Sequence, residues 1–176
     1  MPRTQLLQPC QIELCQFVNL QRGMTNRVVG IKNRQVRKDI DIGLMGIMGE
    51  MAFGLYFHFF PDLTWEPRKL NQNLPASKDY DFKLLNGKTF DIKTTDKDAM
   101  TVNQRKAKNR SADYYVMCRT KMPDFTKDLE PHPVEIMGYL TPRGVQEVGT
   151  LMNADRNGYY SVHHELLKPL TRKQYA

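Results

Sequence analysis

Two hydrophobic patterns organise this chain. One is a nearly unbroken apolar run from Ile42 to Phe60, which predicts a helix buried on almost every side. The other is a period-two alternation from Asp79 to Thr95 interrupted by Asn86-Gly87, which predicts two strands around a tight turn. Ahead of both, residues 4–38 read as mainly helical, and Asp39 or Asp41 is placed to cap the apolar helix. Pro61 and Pro67 bracket a loop holding Trp65. Near the end, Tyr159 to Leu170 reads as an edge strand and a short terminal segment, with Leu166, Leu167 and Leu170 as anchors. No internal repeat or long linker divides the chain, so a single domain is expected.

The apolar helix carries one acid, Glu50. Gly43, Gly46 and Gly54 fall on its face, where the lack of side chains lets another backbone approach. A buried carboxylate is paired, protonated or bound to metal. Glu50 is therefore either half of a structural ion pair or part of a site.

The register of the hairpin decides what its polar face presents. A two-residue loop, Asn86-Gly87, sets Asp81 opposite Ile92 and leaves it on the other face from Asp91. A three-residue loop, Leu85-Asn86-Gly87, uses Gly87 at the left-handed position and pairs Asp81 with Asp91. The second register sorts Phe82, Leu84, Phe90 and Ile92 onto one face. It leaves Asp81, Lys83, Thr89, Asp91 and Lys93 on the other, and this cleaner separation favours it. Carboxylates opposed across a ladder at about 5 Å repel unless a cation lies between them. Hard divalent ions such as Mg²⁺ suit aspartate oxygens, and Lys93 shares their face. The competing reading is an ordinary polar strand face turned to water.

Composition narrows the classes. An apolar fraction of 40% against 26% charged residues supports a packed core and argues against wholesale disorder. Lys and Arg number 26 against 19 acids, and the net charge of +7 points to a polyanionic partner, nucleic acid before an anionic membrane. Arg22, Arg27, Lys32, Arg34, Arg37 and Lys38 form one basic stretch; Arg105, Lys106, Lys108 and Arg110 form another. Each is either a solvated face or a phosphate-contacting surface. An acid in mid-bilayer costs about 2.5–3.5 kcal/mol, so Glu50 argues against a membrane span over 42–60. Cys10, Cys15 and Cys118 make neither a complete disulfide set nor a CxxC pair. With no apolar signal core near Pro2, Arg3 and Pro9, a reducing cytoplasm is expected. His132, His163 and His164 show no ligand spacing with the cysteines and read as surface or packing residues.

Three segments together resemble the PD-(D/E)XK nuclease superfamily. They are Gly49-Glu50-Met51-Ala52-Phe53, Tyr80-Asp81-Phe82 and Asp91-Ile92-Lys93-Thr94-Thr95. The likeness extends through Ala112-Asp113-Tyr114-Tyr115-Val116 and Val134 to Thr141, each similar to a following strand, and covers roughly residues 40–142. Tyr80 stands where the pattern often has proline, and Asp79 is a reserve for the role of Asp81. The likeness is to small phage and bacterial members, and it implies an α/β, restriction-endonuclease-like core with a mixed sheet flanked by helices. Residues 1–38 would form a basic helical part, 39–142 the catalytic core and 143–176 a packing segment. The implied activity is Mg²⁺-dependent hydrolysis of DNA phosphodiesters, with Mn²⁺ as a substitute, in a bacterial or phage-infected cytoplasm. Asp81 and Asp91 would hold the metal with the Ile92 carbonyl, and Glu50 would bind it directly or through water. Lys93 would position the attacking water. A structure-selective, junction-resolvase-like endonuclease is the leading expectation, dimeric if it cuts two strands. The alternatives are an inactive DNA-binding protein on the same fold, an end-processing exonuclease and a restriction nuclease.

Overall fold

A computed structural model describes residues 2–28, 36–58, 80–154 and 158–170, with the side chains of 22–28 and 36–41 excepted. The Trp65 loop, Asp79 and the side chains of the first basic stretch lie outside the described set. The chain opens with strand β1 (Arg3–Leu7) and helix α1 (Pro9–Val28), then α2 (Val36–Phe57). A hairpin follows, β2 (Phe82–Lys83) and β3 (Thr89–Thr95), then β4 (Ala99–Asn103) and the short α3 (Gln104–Asn109). Next come β5 (Tyr114–Arg119), β6 (His132–Leu140), α4 (Pro142–Val148), β7 (Thr150–Met152) and β8 (Tyr159–His163).

Five strands form a mixed sheet in the order β1-β6-β5-β3-β2, with β3 and β5 parallel and the other pairs antiparallel. A second, antiparallel sheet has the order β4-β8-β7. The parallel pair needs a crossover, and β4 with α3 supplies it. Asp113 locks the start of that pair: its carboxylate accepts from the Thr89 amide and hydroxyl, both at 3.0 Å, and from Lys88 at 3.2 Å. These bonds outweigh partial burial and hold its pKa below the ordinary value.

Alternation along β3 and β5 divides the interior into two cores. Phe90, Ile92, Val116 and Cys118 turn toward α1 and α2, where they meet Ile12, Cys15, Met48, Met51 and Phe53. Tyr115 and Met117 turn the other way, against Met100 and Val102 of β4, Tyr160 and Val162 of β8, Ala107 of α3 and Val145 of α4. The main sheet is thus a middle layer between a helical pair and the second sheet. The apolar segment is the central helix, as its pattern predicts. Burial pushes the Cys118 thiol beneath it up to about 12. No helix among the described residues is long and apolar enough to cross a membrane.

The hairpin adopts the three-residue loop. Phe82 pairs with Phe90 and Lys83 with Thr89, Leu84 donates to Lys88 at 2.8 Å, and Gly87 takes φ 82°. Several expectations are corrected. Residues 3–7 are a strand, because β6 offers an edge across Arg3↔Ile136 to Leu7↔His132. Leu7 alone of these is buried, and with Ile12, Cys15 and Val18 of α1 it joins the common core and ties the N-terminal part to the rest. Asp39 and Asp41 lie inside α2, which begins at Val36 and ends at Phe57. β8 is the middle strand of its sheet, and of the three expected anchors Leu170 is buried and Leu167 packs half-buried against the second core, while Leu166 is exposed.

Candidate functional site

The candidate site forms where β3 runs past the end of β2. Asp81 lies one residue before β2, its amide donating to the Phe90 carbonyl at 2.8 Å and its Oδ2 accepting from the Ile92 amide at 2.6 Å. In a strand, a residue's N–H and C=O point to the same side. The Ile92 carbonyl therefore lies along the edge that Asp81 occupies. Asp91 and Lys93 share the opposite face of β3 from Ile92, beside Tyr115 and Met117 of β5. Lys93 Nζ is ion-paired to Asp91 Oδ1.

Electrostatics bind the acids into one group. Burial pushes the Asp81 carboxyl up, and the neighbouring charges of Glu50 and then Asp91 push it further, to about 7. The Ile92 amide and Lys93 oppose the shift without cancelling it. Asp91 is 2% exposed, and a carboxylate so buried needs partners. Among the described residues, Lys93 is one, and Lys106 Nζ at 3.4 Å from Oδ2 is another.

Glu50 approaches from the helical layer, half-buried on α2. Of the glycines expected to admit a neighbour, Gly43 does and Gly46 does not. Nothing lies within 4 Å of a Cβ built at Gly46, and Gly43 faces Asn19 of α1. Gly49 makes the close approach: an added Cβ would collide with Thr94 Oγ1 and lie 3.2 Å from the Cys118 Cβ. Gly49, the residue before the acid, brings α2 onto the sheet beside the site.

The second basic segment divides. Asn103 caps α3, its Oδ1 accepting from the Arg105 and Lys106 amides at 2.9 and 3.3 Å. Arg105, Lys108 and Arg110 are exposed, while Lys106 turns inward to Asp91. Sequence spacing placed all four cations together and did not separate Lys106. The Asn103 cap was the local signal of where α3 begins, but the inward turn depends on packing against β4 and β8. A second group contains His163 and His164, expected as surface or packing residues. His163, His164 and Glu165 bring one ligand atom each within 4.8 Å of one another, an arrangement able to hold a metal ion. His164 Nδ1 lies 3.1 Å from the Asp98 carbonyl oxygen.

The described fold and site define a mixed α/β protein with an aspartate–lysine cluster at the edge of its main sheet and a glutamate from the helix above. No family model, curated protein or solved structure matches the chain.

Proposed function

We propose that this chain is a metal-dependent DNA endonuclease with a restriction-endonuclease-like core, acting on DNA structure in preference to sequence. The observation that carries the reading is the convergence of Glu50, Asp81 and Asp91 around one strand edge, with Lys93 on Asp91. Asp81 resists ionisation because it is buried beside two other acids. A hard cation bound through oxygen supplies the charge that such a group lacks, so these residues suit Mg²⁺ or Mn²⁺. Asp81, Asp91 and the Ile92 carbonyl would hold the ion, with Glu50 directly or through water, and the ion would stabilise charge on the phosphoryl oxygens.

Lys93 orients the attacking water or a phosphate oxygen while its bond to Asp91 fixes its own position. Water attacks phosphorus in line, one P–O ester bond breaks, and the water's proton ends on the solvent or the departing oxygen. Arg105, Lys108 and Arg110 lie on the surface beyond the site and suit backbone phosphates. One such site cuts one strand per encounter, so two-strand cutting calls for a homodimer.

The test is incubation with linear, nicked, single-stranded and four-way DNA, with Mg²⁺ or with a chelator. Cleavage with the ion and none with the chelator is expected, strongest on the branched substrate. Equal cleavage in the chelator would remove the carboxylate–metal assignment.

A further inference from the structure

Next to the Asp91–Lys93 pair is an open pocket of about 510 Å³ lined by Lys93, Thr101, Asn103, Lys106 and Tyr159. Only Lys93 belongs to the three motif segments, Gly49–Phe53, Tyr80–Phe82 and Asp91–Thr95; the others come from β4, α3 and the start of β8. The volume falls in the range of small-ligand sites, roughly 300–1,000 Å³.

The lining is rich in hydrogen-bond donors. Each lysine ammonium has three N–H bonds, and Asp91 accepts from both. Asp91 itself contributes almost no surface, so two cations face the pocket against one buried anion. Asn103 has committed its oxygen to the α3 amides, which leaves its Nδ2 donors for a ligand. Thr101 and Tyr159 add hydroxyls. A cationic, donor-lined cavity selects an oxyanion, and the Tyr159 ring adds a flat surface of the kind on which bases stack.

We infer that this pocket is a nucleotide subsite. Lys93, Lys106, Asn103 and Thr101 hold a phosphate, and Tyr159 contacts the attached nucleoside. The choice of a nucleic-acid phosphate rests on the nuclease reading; the phosphate chemistry stands on the lining alone. Lys106 then acts in substrate binding inside the site, while its exposed neighbours on α3 act outside it.

The test uses the full chain in a chelator, so that binding is measured apart from any bound metal. Isothermal titration follows thymidine 5′-phosphate, thymidine and inorganic phosphate. The nucleotide is expected to bind about tenfold or more tightly than thymidine. Lys106→Met, which keeps the aliphatic stem, should weaken the nucleotide by about tenfold, the scale of one charged hydrogen bond, and Lys106→Arg should restore most of it. Tyr159→Leu should weaken the nucleotide and leave inorganic phosphate unchanged. A short oligothymidylate should displace the nucleotide from the wild type. Equal nucleotide affinity in wild type and Lys106→Met, or equal binding of thymidine and its phosphate, overturns the inference. Failure of the oligothymidylate to compete overturns the nucleic-acid assignment. Mg²⁺-dependent DNA cleavage without nucleotide binding refutes the pocket and leaves the nuclease reading standing; nucleotide binding without cleavage does the reverse.

Discussion

Asp81 links folding to pH. Its ordinary pKa of 3.8 is raised to about 7 in the fold, so between those values the native chain holds a proton that the unfolded chain has released. The metal-free protein therefore loses stability as pH rises through that window, and the loss persists above it. Asp81→Asn removes the effect while keeping an oxygen for the Ile92 amide. In a chelator, the variant should melt above wild type at about pH 8, and this advantage should shrink or vanish at about pH 4. Calorimetry at both values checks this, and an advantage independent of pH would place the charge conflict elsewhere. At this scale the sequence is informative where roles depend on local geometry. Asp91 and Lys93 stand two apart on a strand, which puts both on one face whatever the rest of the chain does. Lys106 was legible only as one of four basic residues and Tyr159 only as the start of a strand, because α3 and β8 must first pack before either side chain meets the site.

Among the elements, the contact of α2 with β3 and β5 sets the height of Glu50 over the sheet. Gly49 makes that contact possible, since a methyl there would meet Thr94 Oγ1 and the Cys118 Cβ. Gly49→Ala is expected to cost about 1–3 kcal/mol by overpacking, despite the better helix propensity of alanine. Adding Thr94→Ala should recover part of the loss. Urea unfolding of the wild type and the two variants measures both effects, and an unchanged Gly49→Ala protein would contradict the close approach. The hairpin was readable because its register is decided by local facts, a glycine at the left-handed loop position and a clean split of apolar from polar residues. β1 was not, because Arg3 to Leu7 has no strong pattern and becomes a strand only by joining β6, about 130 residues later in the chain. The same applies to β8, whose central place in its sheet depends on β4 and β7 closing around it.

For the whole molecule, three layers converge on one edge: Glu50 from the helices, Asp81, Asp91 and Lys93 from the main sheet, and Lys106 from the crossover beside the second sheet. On the proposed reading, the net charge of +7 would give this assembly a long-range attraction for DNA, and exposed Arg105, Lys108 and Arg110 would supply local contacts. Reversing Arg105 and Lys108 should weaken binding to all sequences. The slope of log affinity against log salt should flatten by about 0.9 for each lost phosphate contact; an unchanged slope would leave these residues as a solvated face. The central claim is that Asp91 serves the chemistry and not the grip on DNA. Asp91→Asn measures it most directly, with Mg²⁺-dependent cleavage and DNA binding followed on one folded preparation. The account predicts that cleavage is lost while DNA binding is kept or tightened, because a negative charge near the phosphate is gone. Cleavage at the wild-type rate by folded Asp91→Asn would contradict it.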